Sequence, residues 1–452
     1  MKVMISGCGR IGTAILESLI KERHQIVVVD TNAKVIQSIT DKYDVLGIVG
    51  NGASYQTLLT AGADKIDLFI SVTASDEFNM LSCFVAKKMG AKNTVARIRN
   101  SEYNNDSFEF VKKELGINVI INPELLTAQT IFNILDLPSA TNVETFSASS
   151  TEMIELTVND NSKIIGVPLY ELRKKHKQNF LVCLVQRENE VYIPNGSFTI
   201  QAGDKIGLFA PKSQTRKLLS EFGLEFKPIK SVMIVGASKT AYYLSKLLAS
   251  AKLSVKVVDI NLNKCQNFSE EIEGISVVLG DGTSQDLLNE EGIAKTDAFV
   301  ALTGKDEQNV LMSIYSKNKN VKKVITKITR DEIFDISNDL GLETVITSKS
   351  LVANVLVRYA RALENSASGK IETLYSLFSG VAEASEFEVF EDFKYIKIPL
   401  KDLKISNSTL IAGIIRGSQI IIPGGEDVIL PGDKVIVITA GKSLLELDDI
   451  IG

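Results

Sequence analysis

Cysteine and histidine are scarce in this chain of 452 residues. The four cysteines lie far apart, without the close spacing of a metal-binding or redox pair: Cys8, Cys83, Cys183 and Cys265. This pattern argues against a disulfide scaffold and against a zinc site, and it fits a reducing cytosol. The two histidines, His24 and His176, leave little room for histidine-based acid–base or metal chemistry. No metal site is predicted.

Long hydrophobic runs and an excess of one charge are also missing. No apolar stretch reaches the roughly 18 residues that a membrane span needs, so no spanning helix is expected. The opening residues, MKVMISGCG, lack the cationic segment and apolar core of a secretory signal, and none is expected. Fifty basic against 55 acidic residues give a net charge of −5, which does not favour nucleic-acid binding.

What the sequence does contain is an internal duplication. Three pairs of segments recur in the same order: VMISGCG (3–9) with VMIVGAS (232–238), VGNGAS (49–54) with LGDGTS (279–284), and DLFISVTASDEFN (67–79) with DAFVALTGKDEQN (297–309). Gly7 corresponds to Gly236, and Asp30 corresponds to Asp259 at the same offset. The chain therefore consists of two tandem copies of one two-part unit.

The two parts of each unit differ in pattern. The front part alternates β-branched runs with helical stretches, which predicts a parallel sheet covered on both faces, a Rossmann-like α/β domain. The rear part is β-rich with turn signals such as IPNG, and it predicts a small α+β module. The predicted Rossmann-like domains are 1–122 and 229–350, the small modules are 139–226 and 369–452, and segments 133–138 and 361–369 are predicted to be connections.

The first strand-to-helix turn carries a complete GxGxxG motif, formed by Gly7, Cys8, Gly9, Arg10, Ile11 and Gly12. Gly7 permits a tight turn, Gly9 lets the backbone approach a pyrophosphate, and Gly12 lets the helix pack closely on the strand. The N–H groups at the helix N-terminus then face the phosphates. Because the motif follows an apolar strand and opens an amphipathic helix, it predicts a nucleotide-binding cradle.

Further candidates lie at the ends of neighbouring strands. Asp30 ends the second strand, where a carboxylate accepts hydrogen bonds from ribose hydroxyls and repels a 2′-phosphate, so NAD(H) is favoured over NADP(H). The carboxyl edge, where ligands bind in such sheets, also receives Asn51, Thr73, Ala74 and Arg97. Arg97 is expected to meet either a phosphate or a neighbouring subunit. Arg10 either touches a phosphate or is a solvated arginine, and Cys8 is expected to be a small loop residue. One of Ser75 and Asp76 is expected to cap the following helix.

The second copy of the cradle is degraded. It consists of Gly236, Ala237, Ser238, Lys239, Thr240 and Ala241, so that only the first glycine remains. Ser238 adds a side chain where the backbone must approach a phosphate, whereas alanine is tolerated at the position of Ala241. Asp259 and Thr303 are retained as counterparts of Asp30 and Thr73. We expect weaker or altered nucleotide binding in this half, or none.

Catalytic groups are not predicted. A dehydrogenase needs a proton donor or acceptor beside the nicotinamide. His176, in a basic run, is expected at a solvated helix end, and His24, at a helix-to-strand turn, is expected at the surface. No GxSxG elbow, HExxH helix or Walker lysine loop occurs. The pattern favours a nucleotide-sensing regulator over an enzyme, with an NAD-dependent oxidoreductase or a regulator of another ion transporter as the alternatives.

The motifs in combination resemble the Trk-type potassium-uptake regulatory subunits, the TrkA family. The resemblance rests on GCGRIG, the strand ending at Asp30, VGNGAS, SVTASDEFNM and ARIRN, followed by a small β-rich module and repeated once. It includes the similar strand starts GDKI (203–206) and GDKV (432–435) and covers essentially the whole chain. Members of this family carry two RCK (regulator of potassium conductance) units, each with a nucleotide-binding N-terminal domain and a small C-terminal domain.

The resemblance implies a function for the chain. It implies a cytoplasmic protein, peripheral on the inner face of the cell membrane, that docks on a potassium-translocating membrane subunit of Trk/Ktr type. It implies a homo-oligomer, a dimer or tetramer forming a gating ring, that binds NAD(H), and in some members ATP or ADP, and gates the pore. The helix within 79–89 is a candidate assembly surface, unless its small and apolar residues only pack on the sheet. The implied nucleotide contacts are 7–11, Asp30, Thr73, Ala74 and Arg97, and in the second half 236–240, Asp259 and Thr303.

Overall fold

The chain folds into two parallel and two antiparallel sheets in a computed structural model. The structure describes residues 1–100, 103, 106–146, 151–176, 179–188, 190–224, 228–368, 371–378, 381–417, 419–441, 444 and 446–451. Three predicted module ends, Phe226, Gly369 and Gly452, lie outside these residues.

The first half begins with a parallel sheet. Its strands are β1 (Lys2–Ser6), β2 (Gln25–Asp30), β3 (Leu46–Val49), β4 (Leu68–Ser71), β5 (Asn93–Arg97) and β6 (Val119–Ile121). Its helices are α1 (Arg10–Lys21), α2 (Ala33–Lys42), α3 (Tyr55–Thr60), α4 (Asp76–Met89) and α5 (Asp106–Glu114), and α6 (Pro123–Asp136) follows. The strand order β3-β2-β1-β4-β5-β6 confirms the Rossmann-like topology. The order reverses between β1 and β4, which places a crevice at their carboxyl ends.

A small antiparallel module follows. Its elements are β7 (Ala140–Thr145), β8 (Thr151–Thr157), α7 (Leu169–Lys175), β9 (Leu181–Arg187), β10 (Glu190–Tyr192), β11 (Lys205–Pro211) and α8 (Lys212–Glu221). The strand order is β10-β9-β11-β8-β7. This first C module has a core of its own around Leu156, Ile206 and Phe222.

The second half repeats the plan. Its parallel sheet and helices are β12 (Ser231–Val235), α9 (Lys239–Ser250), β13 (Ser254–Asp259), α10 (Leu262–Glu271), β14 (Ile275–Leu279), α11 (Gln285–Glu290), β15 (Ala298–Ala301), α12 (Asp306–Asn318), β16 (Lys323–Lys327), α13 (Asp331–Asp339), β17 (Val345–Ile346) and α14 (Ser348–Ser368). The strand order β14-β13-β12-β15-β16-β17 matches the first sheet. The second C module contains β18 (Ile371–Leu377), β19 (Ala382–Glu388), β20 (Thr409–Arg416), β21 (Gln419–Ile421) and β22 (Lys434–Ala440), ordered β18-β19-β22-β20-β21.

Helices α6 and α14 tie the two halves together, because each packs on the half to which it does not belong. Ala128 and Ile131 of α6 share a core with Leu244 of α9. Val352 and Leu356 of α14 share a core with residues of α1 and β1. The predicted connections 133–138 and 361–369 are largely helical, since α6 continues to Asp136 and α14 to Ser368. Burial of an apolar face against the opposite half keeps both segments helical.

The two C modules pack against each other through their sheets. Phe146 and Phe209 of the first module share a buried cluster with Tyr375, Leu377 and Phe378 of the second. The ring centroids of Phe146 and Tyr375 lie 4.4 Å apart. No helix formed by the described residues is long and apolar enough to cross a membrane.

His24 is buried and His176 is half-buried, contrary to the expectation of surface positions. The His24 side chain is only 1% exposed and lies 3.4 Å from Glu364 of α14. Burial lowers the pKa of His24, against the opposing effect of Glu364. His176 lies 2.7 Å from Glu221 and packs on the ring of Phe222. The expectation failed because the packed partners come from elements distant in the sequence.

A buried lysine joins the second sheet to the first C module. Lys323 begins β16, and its Nζ donates to the carbonyl of Ala140 at 2.6 Å, where β7 begins. The residue is 6% exposed. Burial lowers the pKa of Lys323 to about 8, although Glu343 favours the charged form.

Lys323 is expected to make stability depend on pH. Its pKa falls from 10.5 to about 8 on folding, so the unfolded chain binds more protons between these values. The free energy of unfolding therefore rises with pH across that window, by about 3 kcal/mol when complete, and the full cost persists below pH 8. Urea denaturation from pH 7 to 10.5 measures this rise against Lys323→Met, in which it should be missing. Parallel profiles in the two proteins would contradict the assignment.

Candidate nucleotide-binding site

The turn between β1 and α1 forms the first glycine-rich cradle. Gly7 has a φ of +93°, and a Cβ there would lie 2.8 Å from Thr73 Cγ2, so no other residue fits without strain. A Cβ on Gly12 would lie 2.0 Å from the Gly7 carbonyl oxygen. Gly12 therefore packs more closely against the glycine turn itself than against a strand. Both glycines are required by the protein's own packing.

Gly9 has a different role, because a Cβ on it would have no heavy atom within 4 Å. It is the N-cap of α1, and it offers no side chain to the N–H groups of the first helical turn. Those donors and the positive end of the helix dipole remain available to an anion. The absence of a side chain at Gly9 therefore leaves the ligand side of the turn open.

Asp30 holds the cradle in shape. One carboxylate oxygen accepts the N–H of Cys8 at 2.8 Å, and the other accepts the N–H of Asn32 at 2.8 Å. The thiol of Cys8 is buried against Val29, and burial together with Asp30 raises its pKa to about 12. Cys8 is therefore a small packing residue with an unreactive thiol, as expected from the sequence.

Asn79 organises the ends of β4 and β5. This fully buried amide accepts from the N–H and hydroxyl of Thr73 at 2.8 and 2.7 Å, and it donates to the carbonyl of Arg97 at 2.9 Å. Asn309 repeats the arrangement with Thr303 and Lys327. Sequence reasoning missed both asparagines, although the repeat places them at the same point of SVTASDEFN and ALTGKDEQN.

Ser75 and Asp76, at the start of α4, have different roles. Ser75 is the N-cap, and its hydroxyl accepts the N–H of Phe78 at 3.1 Å. Asp76 instead accepts the N–H groups of Arg99 and Asn100, both at 2.9 Å. Asp76 therefore fixes the chain directly after β5, next to two arginines, Arg97 and Arg99.

Those arginines meet a glutamate from the first turn of α6. Arg97 and Arg99 each lie 3.8 Å from Glu124 Oε1. Arg97 also donates to the carbonyl of Thr73 at 3.4 Å, and Arg99 to that of Ala74 at 3.0 Å. Burial lowers the pKa of Arg97, against the effect of Glu124. Arg99 Nε also lies 3.8 Å from Asp76, so two arginines and two carboxylates meet at this edge of the sheet.

A cleft of about 840 Å³ opens above these groups. Its first-half wall includes the glycine turn, the ends of β2 and β4, Arg97 and Glu124. Its opposite wall comes from the second half: Lys327, Ile328, Thr329, Ser348 and Lys349. The volume lies within the range of about 300–1,000 Å³ that is usual for small-ligand sites. The cleft therefore lies between the two halves of the chain and is lined by both.

The lysines of the opposite wall add positive charge. Lys327 ends β16 as Arg97 ends β5, and burial lowers its pKa while Glu124 and Asp306 favour the charged form. Lys349, in the first turn of α14, corresponds to Glu124 of α6 and pairs with Asp331 at 2.5 Å. Sequence reasoning did not place Lys327 in the first cleft. These lysines come from β16 and α14, which belong to the second half of the chain.

Most of the sequence-predicted residues of the first half meet at this cleft. Its lining includes Gly7, Gly9, Arg10, Ile11, Asp30, Thr73, Ala74 and Arg97. Arg10 is exposed there at the helix start. Cys8 and Gly12 lie within the turn, behind the lining. Asn51 closes its own turn by accepting the N–H of Ala53 at 2.8 Å, and Gly50 and Gly52 line the cleft in its place.

The second cradle keeps the shape and loses the open helix end. Gly236 has a φ of +102°, and Asp259 accepts the N–H groups of Ala237 and Asn261 at 2.6 and 2.8 Å. Ser238 is the N-cap of α9, and its hydroxyl accepts the N–H of Ala241 at 3.3 Å. Lys239 is exposed, and Thr240 is buried. Ser238 thus caps its helix with a side chain, whereas the helix of the first cradle has no side-chain cap.

This architecture, two Rossmann-like sheets each followed by a small antiparallel module, defines a tandem RCK-type protein. Sequence comparison agrees: the TrkA-N domain model matches residues 3–123 and 232–348, and the TrkA-C domain model matches residues 153–223 and 385–452. The chain belongs to the TrkA family of Trk system potassium uptake proteins.

Relatives match over nearly the whole chain. A Trk system potassium uptake protein TrkA homolog from Archaeoglobus fulgidus is 31% identical over 100% of both chains. The Trk system potassium uptake protein TrkA of Vibrio alginolyticus is 30% identical over 98% of this chain and 96% of its own.

Solved structures share the fold at lower identity. A GsuK channel bound to NAD has a TM-score of 0.64 and 17% identity, covering 97% of this chain and 76% of that chain. A GsuK structure bound to ADP has a TM-score of 0.51 and 12% identity, covering 81% of this chain and 69% of that chain.

Proposed function

We propose that the chain is a nucleotide-sensing regulatory subunit of a Trk-type potassium uptake system, with the four domains bounded as the sequence predicts. NAD(H), or ATP and ADP, binds in the first cleft and changes the shape of the protein. The observation that carries this proposal is the uncapped N-terminus of α1, which opens through Gly9 into a cleft shared by both halves.

The residues of the first cleft fit a nucleotide. The amides after Gly9 would hold the phosphates, and Arg10 and Arg97 would supply positive charge. Asp30 lines the cleft and keeps lone pairs for ribose hydroxyls beyond its two bonds to amides. The remaining predicted contacts, Ile11, Thr73 and Ala74, would shape the walls. These assignments follow from the placement of the side chains and the open helix end.

We propose that the chain binds the nucleotide without catalysing a reaction. Of the two carboxylates of the lining, Asp30 accepts two backbone amides and Glu124 lies 3.8 Å from two arginines. Neither is set up as a proton donor beside a reacting carbon, which an oxidoreductase would need. Absence of cofactor oxidation with a panel of metabolites is the expected result of a turnover assay.

The proposed mechanism is linkage between the cleft and a membrane partner. A ligand that touches both walls binds one relative position of the halves more tightly and shifts the equilibrium toward it. Couplings of this kind are typically about 1–3 kcal/mol. We propose that the protein is cytoplasmic, forms a homo-oligomeric ring and docks on the potassium-translocating subunit at the inner face of the membrane. The names of the TrkA relatives and the GsuK channel fold support this partner.

Calorimetry of the full chain tests the proposal through its stoichiometry. One ATP, ADP or NADH is expected to bind per chain, because Ser238 already caps the second cradle. Ser238→Gly opens that helix end and is expected to raise the number of sites toward two. No binding of any of the three ligands to the wild-type chain would refute the proposed function. Two equal sites in the wild type would refute the ranking of the cradles.

A further inference from the structure

Helix α14 carries a buried arginine where three parts of the molecule meet. Arg361 is 5% exposed, and its Nε and Nη2 donate to the two carboxylate oxygens of Glu22 at 2.5 and 2.6 Å. Glu22 is the C-cap of α1, in the first Rossmann-like domain. The third nitrogen, Nη1, faces Glu383 of β19, in the second C module. The guanidinium of Arg361 thus links α1, α14 and the second C module.

The contact between Arg361 and Glu383 is incomplete. Arg361 Nη1 and Glu383 Oε2 lie 3.6 Å apart. Both atoms are buried, and neither has a hydrogen-bond partner among the described residues. A charge-assisted hydrogen bond between such groups is normally about 2.7–2.9 Å long. A relative movement of under about 1 Å would therefore complete a hydrogen bond between two atoms that otherwise carry a desolvation cost.

The position of this junction connects it to the cleft. Helix α1 begins at the cradle and ends at Glu22, and its 12 residues span about 18 Å. A shift of the phosphate end of a rigid helix moves its other end as well. One turn before Arg361, Arg358 lies 3.6 Å from Glu144 of the first C module and stacks on Tyr375 of the second. Helix α14 therefore touches both C modules beside the junction.

The junction exists on one side of the pseudo-symmetric molecule. The residue of α6 that corresponds to Arg361 is Asp136, which pairs with Arg216 of the first C module at the surface. The residue that corresponds to Glu22 is Ala251, the C-cap of α9. The half with the open cradle is therefore also the half whose cradle helix has an ionic tie to a C module.

We propose that Arg361 is a positioning residue that couples nucleotide occupancy of the first cleft to the second C module, through closure of its contact with Glu383. The inference rests on the proposed function, since it needs a ligand that moves α1. Arg361 does not touch the ligand. It passes a displacement of Glu22 to β19, and reciprocity requires that closure of the contact also tightens nucleotide binding.

The test uses hydrogen–deuterium exchange of the full chain with and without ATP or NADH, read on peptides from β19. In the wild type, ligand is expected to slow exchange in β19. In Glu383→Gln, which keeps the shape and removes the charge, the response is expected to disappear, and calorimetry should show binding weakened only about 5-fold. Arg361→Lys should act in the same way, because one ammonium group cannot bridge both carboxylates. Asp136→Asn, at the equivalent position of α6, should leave the response intact.

The outcomes separate the inference from the proposed function. A β19 response that survives in both Glu383→Gln and Arg361→Lys, or a wild type that binds ligand without any response in β19, overturns the coupling and leaves the nucleotide site standing. A wild type that binds no nucleotide overturns the proposed function and the coupling together. Thermal unfolding of each variant shows that the comparison is made on folded protein.

Discussion

Glutamate in place of Gly9 is expected to weaken nucleotide binding at the first cleft by about 100-fold or more. The side chain enters open space in the cleft, so the fold is unaffected, but its charge opposes the phosphates at the N-terminus of α1. Loss of two hydrogen bonds from charged phosphates, each worth about 1.5–3 kcal/mol, accounts for this factor. Calorimetry with ATP, ADP and NADH measures the loss, and thermal unfolding shows that the variant is folded.

The matched control changes the equivalent residue of the second cradle. Ser238→Glu introduces the same charge at the start of α9, and it should leave the affinity of the first cleft unchanged. If Gly9→Glu binds nucleotide as tightly as the wild type, the glycine turn of the first half is not the phosphate site. An equal loss in both variants would place the ligand outside the first cradle.

Methionine in place of Arg361 is expected to lower the free energy of unfolding by about 3–5 kcal/mol. The substitution keeps most of the aliphatic volume and removes the cation. The carboxylate of Glu22 then lies in a largely buried position without its arginine partner. Both side chains are largely buried, at 6% and 15% exposure, and water cannot screen the remaining charge well. Urea denaturation monitored by circular dichroism measures the change.

Arg216→Met provides the contrast for this prediction. Arg216 pairs with Asp136 at the surface, with side chains 60% and 44% exposed, and such pairs contribute at most about 1 kcal/mol. A stability loss at Arg361 no larger than that at Arg216 would show that the buried pair does not hold α14 on α1. In that case the coupling proposed for this junction would also lose its basis.

Local patterns in the sequence were enough to predict the sheets and the first cradle. The alternation of apolar strands and helices fixed the Rossmann-like class, and GCGRIG with Asp30 located the turn that the structure shows. These signals are local, because the turn, the helix start and the strand end lie within about one βαβ unit. The duplication allowed the same interpretation to be applied to the second half.

The joint between the halves could not be predicted from the sequence. The apolar faces of α6 and α14 are visible as patterns, but a pattern does not say which surface will cover a helix. For that reason, Lys327 and Lys349 were not expected in a cleft whose other wall begins with Gly7. The same limit applies to His24, whose partner Glu364 lies on α14.

In the degraded second cradle, the side chain of Ser238 changes how the N-terminus of α9 is capped. From the sequence, Ser238 was expected to hinder the close approach of a phosphate. In the structure its hydroxyl also accepts the N–H of Ala241, whereas Gly9, at the same position of the first cradle, has no side chain to cap α1. Helix N-termini need a partner for these donors, and a serine cap competes with an anion for them.

A structure of the full chain determined with millimolar NADH or ATP tests the central claim most directly. We expect ligand density with its phosphates against the amides that follow Gly9, its ribose at Asp30 and contacts to the second-half wall at Lys327, and weaker or no density at the turn beginning with Gly236. Both turns empty at that concentration, or phosphates bound away from Gly9, would contradict it.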